Sequence, residues 1–151
     1  MMEHLAPVAD RMSSIIVTTP QAVALADAAK CLSFTRAVSL PVLGLIENMS
    51  GYACPCCGEI SNVFSTGGGK AMAEREGLRF LASLPVDTEL VTLLDAAAEP
   101  EGGEPLAPED AAAPFPLLHR YEKTPSFKLF HDAITRLVET SGKTESVAPT
   151  G

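Results

Sequence analysis

The sequence predicts an α/β fold that forms part of a doubly wound parallel sheet, with about three strands and flanking helices. Three short apolar segments, at 14–18, 42–46 and 79–84, indicate strands, and the first two are apolar enough to be buried on both faces. Segments of helical character follow each strand, which is typical of parallel sheets. Because three strands make a narrow sheet, we expect it to belong to a larger sheet or to be completed by another copy.

The first strand, 14–18, leads into a recognisable helix start. Thr19 can cap the helix and Pro20 can occupy its first position. The helix is predicted to run from about Gln21 to Val38 or Ser39. Much of its apolar surface is expected to come from Val23, Ala26, Leu32, Phe34 and Val38, and Cys31 is predicted to be a core residue.

The second strand leads into a turn at 47–51 and then a loop that contains three of the four cysteines. Three glycines at 67–69 precede a short helix, from about Lys70 to Glu76, and Gly77 stands in the position favoured after a helix end. After the third strand, a turn at 85–87 precedes a helix over 88–98.

Four regions are expected along the chain. Residues 1–98 form the α/β domain, with a metal-binding loop at 48–69, and residues 99–120 are an acidic insertion rich in Pro, Gly and Ala. A helix over 121–141, restarted at Thr124-Pro125, packs on the domain, and the tail at 142–151 is disordered. The residues spaced to dock this last helix on the sheet are Phe127, Phe130, Ile134 and Leu137.

Charge and hydropathy exclude two classes of partner. The net charge is −8, from 19 acidic and 11 basic residues, which argues against the clustered Lys and Arg of a nucleic-acid binding surface. No apolar run approaches the roughly 20 residues that a membrane-spanning helix needs, and no signal peptide opens the chain. We therefore expect a cytoplasmic protein with neither nucleic acid nor membrane as its partner.

The cysteine loop is the strongest chemical signal. Cys54-Pro55-Cys56-Cys57 contains C-x-x-C, the spacing that lets two thiolates converge on one metal or cluster. Such crowding suits metal binding or redox chemistry better than a secreted disulfide framework. Cys56 is poorly placed to join the same site as its neighbour, and His4, His119 and His131 show no partner spacing. We therefore predict that Cys54 and Cys57 are the metal ligands.

Two thiolates fall short of the usual four ligands of a tetrahedral zinc ion or a four-iron cluster. The simplest remedy is a two-fold axis, at which two chains each contribute Cys54 and Cys57. Three interpretations remain open: an iron–sulfur cluster, a zinc ion that bridges a structural dimer, and a redox-active pair. The redox pair is the least favoured, because such pairs usually open a helix directly after a strand, whereas Gly58 and the residues before Cys54 indicate a loop.

Two further segments invite a nucleotide interpretation. Gly67-Gly68-Gly69-Lys70 fails the phosphate-binding pattern, which needs Gly at position 64 and Ser or Thr at 71 where this chain has Phe64 and Ala71. We predict a flexible turn into a helix there. Asn48 and the Pro85-Val86-Asp87 turn follow strand ends, where open α/β sheets bind ligands, although ordinary turn residues would look the same.

Several segments that occur together and in order carry a family resemblance: 16–21, 44–52, Cys54-Pro55-x-Cys57, Phe64 with 67–69, and 80–87. The series resembles the Mrp/ApbC-type P-loop ATPases, a MinD-like branch that scaffolds iron–sulfur clusters. The match covers roughly 3–95 and resembles the C-terminal half of the family. The short spacing from Cys57 to the glycines looks most like the smaller of the two cytosolic scaffold subunits.

The resemblance implies a homodimer, or a heterodimer with the larger cytosolic scaffold ATPase, that bridges a [4Fe–4S] cluster through Cys54 and Cys57 of each chain. It implies cluster transfer to cytosolic and nuclear apoproteins. It also implies that Asn48, Pro85, Val86 and Asp87 line an adenine pocket.

One departure from the family limits the expected chemistry. The signature Lys of the P-loop, the magnesium-binding Asp and the D-T-P-P-G-T switch segment are absent from this sequence. We therefore expect no catalysis by this chain alone, with ATP and Mg²⁺ bound only if the N-terminal half is supplied. A nucleotide-binding half-domain that needs a separate N-terminal half is the third functional alternative, beside the cluster scaffold and the zinc-bridged dimer.

Overall fold

The structure is a computed structural model that describes residues 11–54, 56–57, 59–61, 65–98 and 115–144. Most of the predicted insertion and the predicted tail beyond 144 lie outside the described residues. Within the described ranges, no helix combines the length and the apolar character needed to cross a membrane.

The main sheet has three parallel strands, β1 (Ser14–Thr18), β2 (Val42–Glu47) and β5 (Phe80–Ser83), in the order β1-β2-β5. A second, two-stranded antiparallel sheet is formed by β3 (Tyr52–Ala53) and β4 (Ile60–Ser61). The three parallel strands with helices between them confirm the predicted α/β fold class.

Five helices accompany the strands in the described chain: α1 (Ala22–Ala37), α2 (Gly68–Glu76), α3 (Thr88–Ala98), α4 (Pro116–Tyr121) and α5 (Pro125–Thr144). Helices α1 and α2 pack on one face of the sheet, where Leu32 and Met72 meet Leu45. Helix α5 packs on the opposite face, where Leu137 meets Ile46 and Leu81. Consecutive side chains of a strand point to opposite faces of the sheet, so Leu45 and its neighbour Ile46 in β2 belong to the two different cores.

Strand β1 is buried on one face only, so the prediction of burial on both faces is wrong. Ile16 and Thr18 are 6% and 5% exposed, whereas Ile15 and Val17 are 37% and 59% exposed. Ile16 faces the core under α1 and α2, so Ile15 and Val17 point to the other face of the sheet, where α5 packs on β5 at the far end of the strand order.

Helix α1 buries Leu32 as predicted, but the rest of its buried face differs from the prediction. Ala28, Leu32 and Thr35 are buried, at the spacing of one helical face, whereas Val23 and Phe34 are 77% and 57% exposed. Cys31 is also exposed, so its prediction as a core residue is wrong. Small apolar residues of this helix are distributed around all its sides. Its composition therefore does not define which face meets the sheet.

The C-terminal part begins earlier and packs differently than predicted. Helix α4 occupies 116–121, at the end of the segment expected to be an insertion without regular structure, and begins with a proline at a position that favours helix starts. Helix α5 begins at Pro125, as the Thr124-Pro125 pair predicts, and ends at Thr144, so the prediction of a disordered tail from 142 is wrong for its first three residues. It docks through Ala133 and Leu137, while Phe130 and Ile134 are each 41% exposed, which corrects their assignment to the sheet contact.

Candidate metal and nucleotide sites

The cysteines lie at the turn of a small β-hairpin. Strands β3 and β4 pair Tyr52 with Ser61 and Ala53 with Ile60. One step further, the backbone N–H of Cys54 donates to the carbonyl of Glu59 at 3.0 Å. Cys54 therefore stands on the hairpin itself, and Cys56 and Cys57 belong to its turn.

Backbone hydrogen bonds fasten this hairpin to the segment that follows β5. The N–H of Ser50 donates to the carbonyl of Leu84 at 2.9 Å. Val86 uses both of its backbone groups: its N–H donates to Gly51 at 2.8 Å, and its carbonyl accepts from Ala53 at 2.9 Å. The short strand that carries Cys54 is thus anchored to the rim of the main sheet.

The three thiols of the hairpin are free and reach the surface. Cys56 and Cys57 are exposed and Cys54 is partly exposed. The backbone N–H groups of Cys56 and Cys57, together with the Cys57 thiol, donate to the Cys54 sulfur, and they hold the pKa of Cys54 below its ordinary value. A thiolate is the form that binds metals, so the donor set fits a thiophilic ion or cluster.

Sequence reasoning missed the residue that holds the base of the cysteine loop. Glu47, the last residue of β2, is fully buried and accepts hydrogen bonds from Ser50 Oγ at 2.6 Å and from the N–H of Gly67 at 3.0 Å. The N–H of Gly69 donates to its second carboxylate oxygen. A carboxylate at the end of an apolar strand, directly before a turn, is the signal that could have revealed it.

Two of the three glycines, Gly68 and Gly69, are closely packed, whereas Gly67 is exposed with open space around it. Gly67 adopts a left-handed conformation, with φ at +83°. A Cβ on Gly68 would lie 2.7 Å from the carbonyl oxygen of Pro20, and one on Gly69 would lie 3.0 Å from the Cβ of Glu47. Helix α2 accordingly begins at Gly68, and two amides that a P-loop would offer to phosphate are hydrogen-bonded to Glu47 here.

A cavity of about 490 Å³ opens at the carboxyl ends of the strands, and Asn48 and Pro85 both line it. Its other lining residues are mostly apolar or aromatic: Leu84, Leu90, Leu93, Leu94, Leu117, Leu118, Tyr121, Ser126 and Phe130. Burial, with a smaller contribution from the Asp87 carboxylate, raises the pKa of Tyr121, so its phenol remains a hydrogen-bond donor at neutral pH. An apolar cavity with a few polar groups is typical of a small-molecule site.

The structure gives Val86 and Asp87 positions different from those of Asn48 and Pro85. The backbone of Val86 holds the hairpin, and neither residue lines the cavity. Asp87 caps α3 by accepting from the N–H groups of Glu89 and Leu90, and it also binds Ser126. Of the four residues predicted to line an adenine pocket, Asn48 and Pro85 therefore line the cavity.

Within the described ranges, no group of three or more His, Cys, Asp or Glu side chains is arranged to hold a metal ion.

A family profile described as "ParA: NUBPL iron-transfer P-loop NTPase" matches residues 2–112. Among curated relatives, the cytosolic Fe-S cluster assembly factor cfd1 of Aspergillus fumigatus is 46% identical over 133 residues, which cover 83% of this chain and 42% of the relative. The factor of the same name from Mycosarcoma maydis is 59% identical over 87 residues, or 58% of this chain and 24% of the relative. The chain thus spans less than half the length of these relatives.

One solved structure supports the same fold. The nucleotide-binding protein of Archaeoglobus fulgidus, in complex with ADP and with cobalt found in it, is 31% identical and superposes with a TM-score of 0.50. The match covers 59% of this chain and 38% of that protein.

Proposed function

Since the chain belongs to the ParA family of NUBPL iron-transfer P-loop NTPases, we propose that it holds an iron–sulfur cluster for assembly into other proteins. The observation that carries the proposal is the anchored hairpin, which presents Cys54 and Cys57 at the surface. The lowered pKa of Cys54 supports the same assignment, because it favours the thiolate, the form that binds iron.

The number of ligands argues for a shared cluster. A [4Fe–4S] cluster is commonly held by four thiolates, and the proposed C-x-x-C pair supplies two of them. Two hairpins that meet at a two-fold axis would complete the set, with Cys54 and Cys57 of each chain as ligands. The second chain is either another copy or the larger cytosolic scaffold ATPase. A cluster held at such a seam is accessible for transfer to recipient apoproteins.

The relatives are named as cytosolic Fe-S cluster assembly factors, which supports a cytoplasmic location. The proposed recipients of the cluster are cytosolic and nuclear apoproteins. The chain's own part is to bind and present the cluster. ATP hydrolysis would need the phosphate-binding and magnesium-binding residues of an N-terminal half.

Anaerobic purification, followed by iron, sulfide and zinc analysis, tests this function. We expect a brown protein with about four irons per dimer. Cys54→Ala and Cys57→Ala should abolish the cluster, whereas Cys56→Ala and Cys31→Ala serve as matched controls that retain it. Full cluster occupancy in both ligand variants would refute the assignment. A colourless dimer that holds zinc through the same thiols would support the zinc-bridged module instead.

A second candidate function, nucleotide binding, is favoured by the cavity at the ends of the strands. Its size and its lining by Asn48, Pro85 and apolar residues suit a purine, and the related Archaeoglobus protein was solved with ADP. Because phosphate and Mg²⁺ ligands are expected from an N-terminal half, this chain alone should bind ATP weakly.

Complementation tests the nucleotide function. Addition of the N-terminal half of the Aspergillus fumigatus relative should restore ATP binding, measured by a fluorescent ATP analogue. Asn48→Ala should weaken the restored binding, with exposed Glu122→Gln as the control. No gain of binding on mixing would count against this candidate.

A further inference from the structure

Glu47 is a buried acid that neither the cluster ligands nor the nucleotide cavity explains. Its side chain is fully buried at the end of β2. Burial alone would raise the pKa of Glu47, but hydrogen bonds from Ser50, Gly67, Gly69 and Ser83 outweigh this effect and leave the pKa below its ordinary value. A buried charge with this many donors is costly to desolvate and is stable only while those donors stay in place.

Three of these four donors come from the two ends of the cysteine loop. Ser50 lies four residues before Cys54, and Gly67 lies ten residues after Cys57. Both donate to the same oxygen, Oε1, while Gly69 donates to Oε2. One carboxylate therefore joins the start of the loop, its end and the first turn of α2.

The approach of α2 is built around this contact. A Cβ on Gly69 would lie 3.0 Å from both the Cβ and the Oε2 of Glu47, so a larger residue would push Glu47 or the helix back by a few tenths of an ångström. The N-terminus of a helix favours a negative charge, and Glu47 supplies it from outside the helix. Further along α2, Met72 and Ala73 are buried in the core, so the helix body is docked by other contacts.

We propose that Glu47 is a positioning residue for the metal site: its carboxylate closes the base of loop 48–69 and so fixes where Cys54 and Cys57 stand for a bound cluster. This inference rests on the proposed cluster-binding function. Glu47 acts through the backbone that carries the thiols and is not itself a ligand. Its effect should be largest on how long a cluster is retained, since a loosened loop lets the thiolates separate.

The test compares cluster retention in anaerobically reconstituted protein. Glu47→Gln preserves the shape of the side chain but points an amide N–H₂ at donors that need an acceptor. Cluster loss to an iron chelator should be about tenfold faster than in the unchanged protein, at a temperature where circular dichroism shows both folded. The cluster's absorption spectrum, and its electron paramagnetic resonance spectrum after reduction with dithionite, should also change. Glu74→Gln, an exposed acid on the same helix, should leave both readouts unchanged.

A stability control separates positioning from general destabilisation. Leu32→Ala removes a core side chain of α1 that is 1% exposed, on the helix away from the hairpin. It should lower the melting temperature at least as much as Glu47→Gln while leaving the spectra and the loss rate unchanged. If Leu32→Ala speeds cluster loss as much as Glu47→Gln does, the effect is one of stability and the inference is overturned.

Ser50→Ala keeps the test decisive if Glu47→Gln does not fold. It removes one donor to the carboxylate and should give a smaller acceleration, about threefold. If Ser50→Ala, and Glu47→Gln when it folds, lose the cluster at the same rate as the unchanged protein, the proposed role of Glu47 is overturned. An unchanged protein that takes up no cluster would instead refute the proposed function, so the two failures are distinguishable.

Discussion

Ser126 and Asp87 are joined by two hydrogen bonds: the backbone N–H of Ser126 donates to Oδ2 at 3.1 Å, and its hydroxyl donates to the same oxygen at 2.7 Å. The other oxygen, Oδ1, accepts from the N–H groups of Glu89 and Leu90 at 3.0 and 3.1 Å. One side chain therefore caps α3 and holds the start of α5. The C-terminal helix is fixed at the same end of the sheet as the hairpin and the cavity.

Asp87→Asn should destabilise the fold by about 1–3 kcal/mol, because the amide gives up the charge and one of its two acceptor atoms. Chemical unfolding in urea measures the loss. Glu89→Gln, an exposed residue in the first turn of the same helix, is the control and should shift the free energy of unfolding by less than about 0.5 kcal/mol. Equal midpoints for Asp87→Asn and the unchanged protein would contradict this role.

The same carboxylate makes stability depend on pH. Burial on its own raises the pKa of Asp87, yet the hydrogen bonds of Ser126, Leu90 and Glu89 prevail and leave the pKa below its ordinary value of about 3.9. The unfolded chain therefore binds the proton more readily, and this contribution is complete above about pH 5 and is lost as the pH falls through the folded pKa. The free-energy gap between the unchanged protein and Asp87→Asn should narrow from pH 7 to pH 3, and a constant gap would oppose this account.

Gly44→Ala should destabilise the sheet by about 1–3 kcal/mol through overpacking. A Cβ at this position would lie 2.7 Å from Leu81 Cγ and 2.8 Å from the carbonyl oxygen of Arg79, which already accepts from Leu45. Gly77→Ala is a useful comparison, because its Cβ meets open space and only its left-handed backbone, with φ at 68°, is penalised, at about 1 kcal/mol. Thermal melting of both variants checks the order, and a Gly44→Ala variant as stable as the parent would show that Leu81 can move aside.

Cys31→Ser should change stability by less than about 0.5 kcal/mol, since the thiol is exposed on α1. In the native protein, iodoacetamide should modify Cys31, as peptide mass spectrometry after digestion would show. The side chain lines a surface groove beside β1, together with Ile15 and Val17. Modification that occurs only in denaturant would contradict this exposure.

Sequence patterns predict the order and type of the main elements because each is marked by local signals. Strand β1 has the bounds that its β-branched run predicts, and Gly77 ends α2 in the left-handed conformation expected of it. The fold class and the family follow from the same local segments. The Cys54 and Cys57 pair is marked by its C-x-x-C spacing, and Asn48 and Pro85, which line the cavity, are marked by their places after strand ends; their roles as ligand residues stay predictions.

Tertiary contacts account for what the patterns do not give. Apolar spacing assigned Phe34 to a buried surface although the sheet meets another face of α1, and only the packed fold reveals which face that is. The role of Glu47 depends on amides that lie 20 and 22 residues further along the chain. The β3–β4 hairpin is equally hidden, since each strand has two residues and is formed by pairing across the turn.

The double use of the Val86 backbone has a mechanical consequence. Its neighbour Pro85 forms part of the cavity wall. Val86 itself binds the segment that leads to Cys54 through two backbone hydrogen bonds, one from its N–H and one to its carbonyl. No flexible side chain intervenes between the cavity wall and the sulfur-bearing strand along this path. The cavity wall and the strand that leads to Cys54 are therefore connected by backbone atoms and backbone hydrogen bonds alone.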